Sequence, residues 1–111
     1  MQTIAETNSF QKRVKSLGIS SDEVTDMISS IAKSPDSGTP LGAGLYKIRI
    51  ARKDTGKSGG YRVLYFYKPI DMPIFLITIF AKNEKDNITN SEKNKLVELC
   101  NTLSASYEKK S

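Results

Sequence analysis

Leu45-Tyr46-Lys47-Ile48-Arg49-Ile50 and Tyr61-Arg62-Val63-Leu64-Tyr65-Phe66-Tyr67 are the two stretches that decide the fold. In the first, Tyr46, Ile48 and Ile50 alternate with Lys47, Arg49 and Ala51. A residue on every second position faces the same side of a strand, so this pattern describes one apolar face turned inward and one cationic face turned outward. The second stretch is an almost unbroken run of aromatic and β-branched residues, suited to a central strand covered on both faces. Ile74 to Ala81 reads the same way, and Pro69 to Pro73 between them has the length of a turn. Three strands paired as an antiparallel meander are therefore expected.

Upstream of these strands the periodicity is helical. Thr7, Asn8 and Ser9 can cap a first short helix with Phe10, Val14 and Leu17 on one stripe, Lys12, Arg13 and Lys15 on the other side, and Gly18 beyond its end. A second helix opens with the capping box Ser20 to Glu23, continues through Val24, Met27, Ile28 and Ile31, and stops before Pro35. Ser34 to Gly44 has turn composition without periodicity and reads as a connecting loop. Downstream, Thr89 and Glu92 form a second capping box leading into Leu96, Leu99, Cys100, Leu103 and Tyr107, which makes Cys100 a core residue. The expected order is two N-terminal helices, a three-stranded antiparallel meander and a C-terminal helix, with room for a short extra strand at residues 2–6. This is an α+β arrangement with its helices segregated against a sheet.

The chain has 111 residues, enough for a single domain over 1–111 with one modest core. Hydrophobic residues at 38% and charged residues at 26% suit a folded globule rather than a disordered chain. With no membrane-length apolar run and a polar start, the protein is expected in the cytoplasm. It contains no histidine and one cysteine, which excludes an internal disulfide, a Cys/His zinc site and a Cys–His nucleophile pair. No cofactor or metal is expected. The net charge of +5 is concentrated: Lys47, Arg49, Arg52, Lys53, Lys57, Arg62 and Lys68 stand against Asp54 between Leu45 and Lys68, so that segment carries +6. A local cationic surface of this kind suits a phosphate-bearing partner, although a merely solvated face is the plainer reading.

Gly56-Lys57-Ser58 has the ending of a phosphate-binding P-loop, but the first glycine of that pattern would fall on Ala51, and a strand rather than a helix follows. The glycines are better read as a hairpin tip that lets Lys53, Lys57 and the backbone approach a ligand closely. Lys47 and Arg49 on one strand, Arg62 at the start of the next and Lys82 at the end of the third then converge on one mouth. RNA fits such a site, with cations on its phosphates and Tyr61 offering a ring for a base, against the alternative that Tyr61 simply packs. RNA carries its own nucleophile in the 2′-OH, so cleavage needs only a base, alignment and neutralisation of the charge gathering on phosphorus. Arg62 is the expected clamp, since its planar fork can hold two phosphate oxygens. A free lysine, pKa ~10.4, is too protonated to act as base at neutral pH, but crowding by like charge lowers that value, leaving Lys57 or Lys47 as candidates and Glu84 as the rival.

Leu45-Tyr46-Lys47-Ile48-Arg49, then Gly56-Lys57-Ser58-Gly59-Gly60-Tyr61-Arg62-Val63-Leu64-Tyr65, then Leu76-Ile77-Thr78-Ile79-Phe80-Ala81-Lys82-Asn83-Glu84 together resemble the RelE/HigB superfamily of type II toxins, especially its HigB-like branch with a glycine-rich, lysine-bearing hairpin. The resemblance covers nearly the whole chain and implies a RelE/ParE-like fold. It also implies ribosome-dependent cleavage of messenger RNA, and restraint by a cognate antitoxin protein. Lys47 and Arg49 match the family's two basic strand positions, Arg62 the arginine after the glycine and aromatic, and Lys82 the basic residue closing the last strand. Asn83 stands where the usual pattern has an arginine, and Ile88 and Thr89 where it has a tyrosine, so the usual acid and base roles do not transfer. The expected site is Arg62, Lys57, Lys47, Lys82 and Glu84 for the chemistry, with Arg49, Arg52, Lys53, Tyr61 and Asn83 on the RNA. The competing readings are a non-catalytic RNA- or ribosome-binding module and a ParE-like toxin acting on DNA gyrase, whose members generally lack the full basic set.

Overall fold

In the computed structural model, residues 3–51, 60–69, 72–82 and 88–108 are described. The elements run β1 (Ile4–Glu6), α1 (Asn8–Leu17), α2 (Ser21–Lys33), β2 (Thr39–Gly42), β3 (Leu45–Ile50), β4 (Tyr61–Phe66), β5 (Ile74–Ala81) and α3 (Asn90–Glu108). The helices start and stop where the chain offers backbone partners. Thr7 Oγ1 accepts from Phe10 N at 3.2 Å, and Gly18 closes α1 with φ +68 while its amide donates to Lys15 O. Ser20 and Glu23 form the reciprocal capping box of α2, and Thr89 and Glu92 exchange the same pair of bonds, at 2.9 and 3.1 Å, before α3.

The sheet has the order β1-β5-β4-β3-β2, with β3, β4 and β5 mutually antiparallel and β1 parallel to β5. It is a five-stranded mixed sheet, larger than the three-stranded meander expected. The short strand anticipated at residues 2–6 is Ile4–Glu6, while β2 lies inside the segment expected to be a loop. β2 escapes a reading by composition because it is an edge strand containing Pro40, and proline is tolerated only where a ladder bond can be missing. It turns into β3 through Ala43 and Gly44, both at positive φ (57 and 88), the backbone of a tight two-residue hairpin. Alanine in the first of those positions gives no turn signal in the sequence.

All six residues of β4 are buried. One face of the sheet packs against α1 and α2 through Phe10, Met27, Ile31, Val63, Tyr65 and Leu76. The opposite face packs against α3 through Leu45, Leu64, Phe66, Ile77, Phe80 and Cys100. Tyr65 is fully buried, stacks on Tyr46 at 5.4 Å between ring centroids, and donates its hydroxyl proton to Pro35 O at 2.7 Å, pinning the chain after α2 to the sheet. Burial pushes its phenol pKa up to about 12, against a smaller lowering from the Gly38 backbone. On the other face Lys68 Nζ donates to the buried Ser104 Oγ at 2.8 Å, tying the end of the central strand to α3.

β1 accompanies β5 only from Ile74 to Leu76. Beyond it the carbonyls of β5 need other donors, since an unpaired sheet edge is costly. The Thr7 hydroxyl lies 2.9 Å from both Leu76 O and Ile77 O and shares its proton between them, beside the irregularity where Ile77 is inserted into the β4–β5 ladder. Arg13 Nε donates to Ile79 O at 3.0 Å. α1 therefore seals the open length of β5 with side chains.

Candidate functional site

Alternation along the strands puts Lys47 and Arg49 of β3 and Arg62 of β4 on the face that α3 covers, in step with Leu45, Leu64 and Phe66. α3 packs over the end of that face bearing Leu45, Phe66 and Phe75. The cations occupy the other end. Arg49 and Arg62 are directly opposite each other in the ladder, and Lys47 stands two pairs along, the next on that face, opposite Leu64. Side chains opposite one another on antiparallel strands have Cβ atoms only ~4.5–5.5 Å apart, and like charges so placed oppose folding. The fold nevertheless brings two guanidinium groups together on this face, one of them on its central strand. Lys82 follows the end of β5, exposed, with its amide donating to Gly60 O at 3.2 Å. Gly60 itself sits at φ +59, where a Cβ would clash with Ile50 O, so the entry to β4 requires glycine.

Two expectations about individual residues are corrected. Arg62 was expected to present an exposed charge at a strand start, but it is only 8% exposed because β4 is flanked on both sides by paired strands. Tyr61 was expected on the ligand. It is 4% exposed and belongs to the core on the α1–α2 face, opposite to the cations, so its ring packs instead of offering a stacking surface. Arg49 is exposed and Lys47 half-buried, as suits side chains that flank a ligand. Lys57, Arg52, Lys53, Asn83 and Glu84 lie outside the described residues. Ile88, at the position where a tyrosine was noted as missing, is half-buried against the α3-side core.

A cleft of about 540 Å³ opens on the same face beside the cations. Leu64, Ile77, Phe80 and Leu96 supply apolar walls, and Arg13, Glu92 and Lys95 the charged groups around them. None of these three was a site candidate in the sequence, where Glu92 reads as a helix-capping residue. Arg13 read as part of the outer face of α1, and only the uncovered edge of β5 explains why it reaches across to the cleft.

A model of the family described as the RelE toxin of the RelE / RelB toxin–antitoxin system matches residues 2–110. The chain belongs to the RelE toxin family. Membership makes it a toxin of a toxin–antitoxin system and gives it a cognate antitoxin as partner. In this RelE family member the basic row of β3 and β4 is the candidate site, with α3 as its neighbour on the same face. Among the described residues, no helix is long and apolar enough to cross a membrane.

Proposed function

We propose that this RelE family toxin is a ribosome-dependent endoribonuclease that stops translation by cutting messenger RNA. The observation that carries the reading is the opposed Arg49–Arg62 pair with Lys47 beside it, on the sheet face shared with α3. Several cations side by side can neutralise successive phosphates of an RNA backbone. The reaction needs no cofactor. A base, drawn from Lys57, Lys47 or Glu84, takes the proton of the 2′-OH. The freed oxygen attacks the adjacent phosphorus, the bond to the 5′-oxygen breaks, and that oxygen leaves with a proton. The products are a 2′,3′-cyclic phosphate and a 5′-hydroxyl. Arg62 clamps the charge that develops on the non-bridging oxygens, where a donor already in place costs no reorganisation, and Lys82 adds further neutralisation. Arg49, Arg52, Lys53 and Asn83 hold the flanking backbone. The glycine-rich, lysine-bearing sequence from Gly56 to Gly60 favours the HigB-like branch of the family.

A message carrying 2′-O-methyl at the nucleotide 5′ of the cut tests the nucleophile. Cleavage at that bond should vanish while neighbouring sites are still cut, and unmodified message should give cyclic phosphate ends. Continued cutting at the methylated position would exclude attack by the 2′-OH.

A further inference from the structure

In an uninterrupted strand every second residue returns to the same face. Phe75 and Ile77 of β5 pack on the α3 side, so Ile79 and Ala81 would follow them there and Phe80 and Lys82 would fall on the α1–α2 side. The reverse is observed. Ile79 and Ala81 belong to the α1–α2 core, whereas Phe80 belongs to the α3-side core and stands directly opposite Arg62. One extra residue makes the change: Leu64 is paired with Thr78 and Tyr65 with Leu76, so Ile77 between them has no register partner on β4. Lys82 comes two residues after Phe80, the spacing of one row, and its amide still bonds to Gly60 O at 3.2 Å, which carries the β4–β5 pairing to that point. We infer that the bulge at Ile77 is the device that brings Lys82 onto the face of Arg62, Arg49 and Lys47, and that Thr7 is the positioning residue that holds it. This rests on the endoribonuclease reading, in which Lys82 neutralises charge on the scissile phosphate, and adds to it a residue from a different part of the chain.

A bulge takes backbone groups out of the ladder, and where β1 has ended no further strand is there to receive them. Thr7 receives them with two groups. Its amide donates to Leu76 O at 3.1 Å, and its hydroxyl lies 2.9 Å from Leu76 O and from Ile77 O, the carbonyls of the inserted residue and the one before it. The same hydroxyl oxygen accepts from Phe10 N at 3.2 Å, so the bulge is tied to the first turn of α1. Only a group that donates and accepts at once can do both, as a hydroxyl does. A slip of one residue in the register would turn Phe80 and Lys82 to the other face, so a fixed bulge is what gives Lys82 a fixed place beside Arg62.

Three substitutions separate the lock from the helix cap. Thr7→Ser keeps donor and acceptor, Thr7→Asp keeps the acceptor that caps α1 but, ionised, has no proton for the carbonyls, and Thr7→Val keeps neither. Single-turnover cleavage of ribosome-bound message is measured for each, together with amide hydrogen exchange from Ile77 to Lys82. Exchange is also followed in the antitoxin complex, where binding keeps a weakened variant folded. The serine variant should cut close to the wild-type rate. Valine and aspartate should each slow cleavage about tenfold or more, the scale of a small misplacement of a group at the reacting centre, and quicken exchange at those amides. Added to Lys82→Met, neither should slow cleavage further, whereas added to Lys47→Met each should multiply the loss, because only changes that act through one group fail to add. An aspartate variant that cuts at wild-type speed while valine is slow assigns the effect to the cap of α1 and overturns the inference. Losses that multiply with Lys82→Met overturn it too, as does exchange equal to wild type in the complex, which decides the matter for any variant that does not fold alone. If the wild-type protein leaves every message intact, the endoribonuclease reading fails first and takes this one with it, an outcome visible without any variant.

Discussion

Replacing Arg62 separates a clamp from a structural arginine. Because Arg62 is 8% exposed, Arg62→Ala does more than delete a charge. The three methylenes of the stem lose their packing at about 0.8 kcal/mol each, or about 2 kcal/mol. Relief of repulsion from Arg49 across the ladder returns a few tenths to about 1 kcal/mol. The net loss of about 1.5 kcal/mol lowers Tm by roughly 10 °C or a little less. Removal of a donor pair from a developing oxyanion costs about 3–4 kcal/mol of transition-state binding, a hundredfold or more in rate. Arg62→Met keeps the buried stem and removes the fork, so it should melt no earlier than Arg62→Ala and still lose the rate. Thermal unfolding, antitoxin binding and single-turnover RNA cleavage on one preparation of each variant decide the matter. Arg62→Met that cuts at wild-type speed, or that melts far earlier than Arg62→Ala, would refute the reasoning and make Arg62 a structural residue.

Gly60→Ala should destabilise the toxin by at least ~1–2 kcal/mol, because φ +59 disfavours a Cβ and the new atom would press on Ile50 O; chemical denaturation checks it, and an unchanged midpoint counts against the strained entry to β4. Stability should fall as the solution is made alkaline. Burial raises Cys100 from its ordinary 9.0 to about 12, against a smaller lowering from Lys68, and raises Tyr65 from 10.0 to about 12, so the unfolded chain releases these protons first and favours unfolding from pH 9 upward until both folded groups ionise. Tyr65→Phe with Cys100→Ala should flatten that decline in a pH series of melts; an unaltered slope would locate its cause elsewhere. Antitoxin association should weaken as salt rises, since the segment from Leu45 to Lys68 carries +6, and a dissociation constant unmoved between low and high salt would remove charge from that interface.

Periodicity made the central strands and all three helices legible, because each buries one stripe or face and the apolar residues record it. The alternation of Tyr46, Ile48 and Ile50 with Lys47 and Arg49 separated the cations from the α1–α2 core, but it could not show that the face read as outward is itself packed against α3. What stayed hidden depends on partners remote in sequence. Thr39–Gly42 is an edge strand whose proline and glycines read as loop, and the parallel pairing of Ile4–Glu6 with β5 leaves no periodic mark in three residues. Tyr61 and Arg62 were misread in exposure for one reason. A strand start next to glycines suggests a surface, whereas the flanking β3 and β5 bury both residues from the first pair onward. The roles of Arg13 and Thr7 at the β5 edge became visible only once β1 was known to stop at Glu6.

The most direct test of the central claim is to map RNA ends after adding the toxin to a translating extract, with and without assembled ribosomes. The account predicts new 5′-hydroxyl and 2′,3′-cyclic phosphate ends within translated codons, present only with ribosomes and absent with Arg62→Met. Translation that stops while every message keeps its original ends, or supercoiling by DNA gyrase that fails in its place, would contradict it.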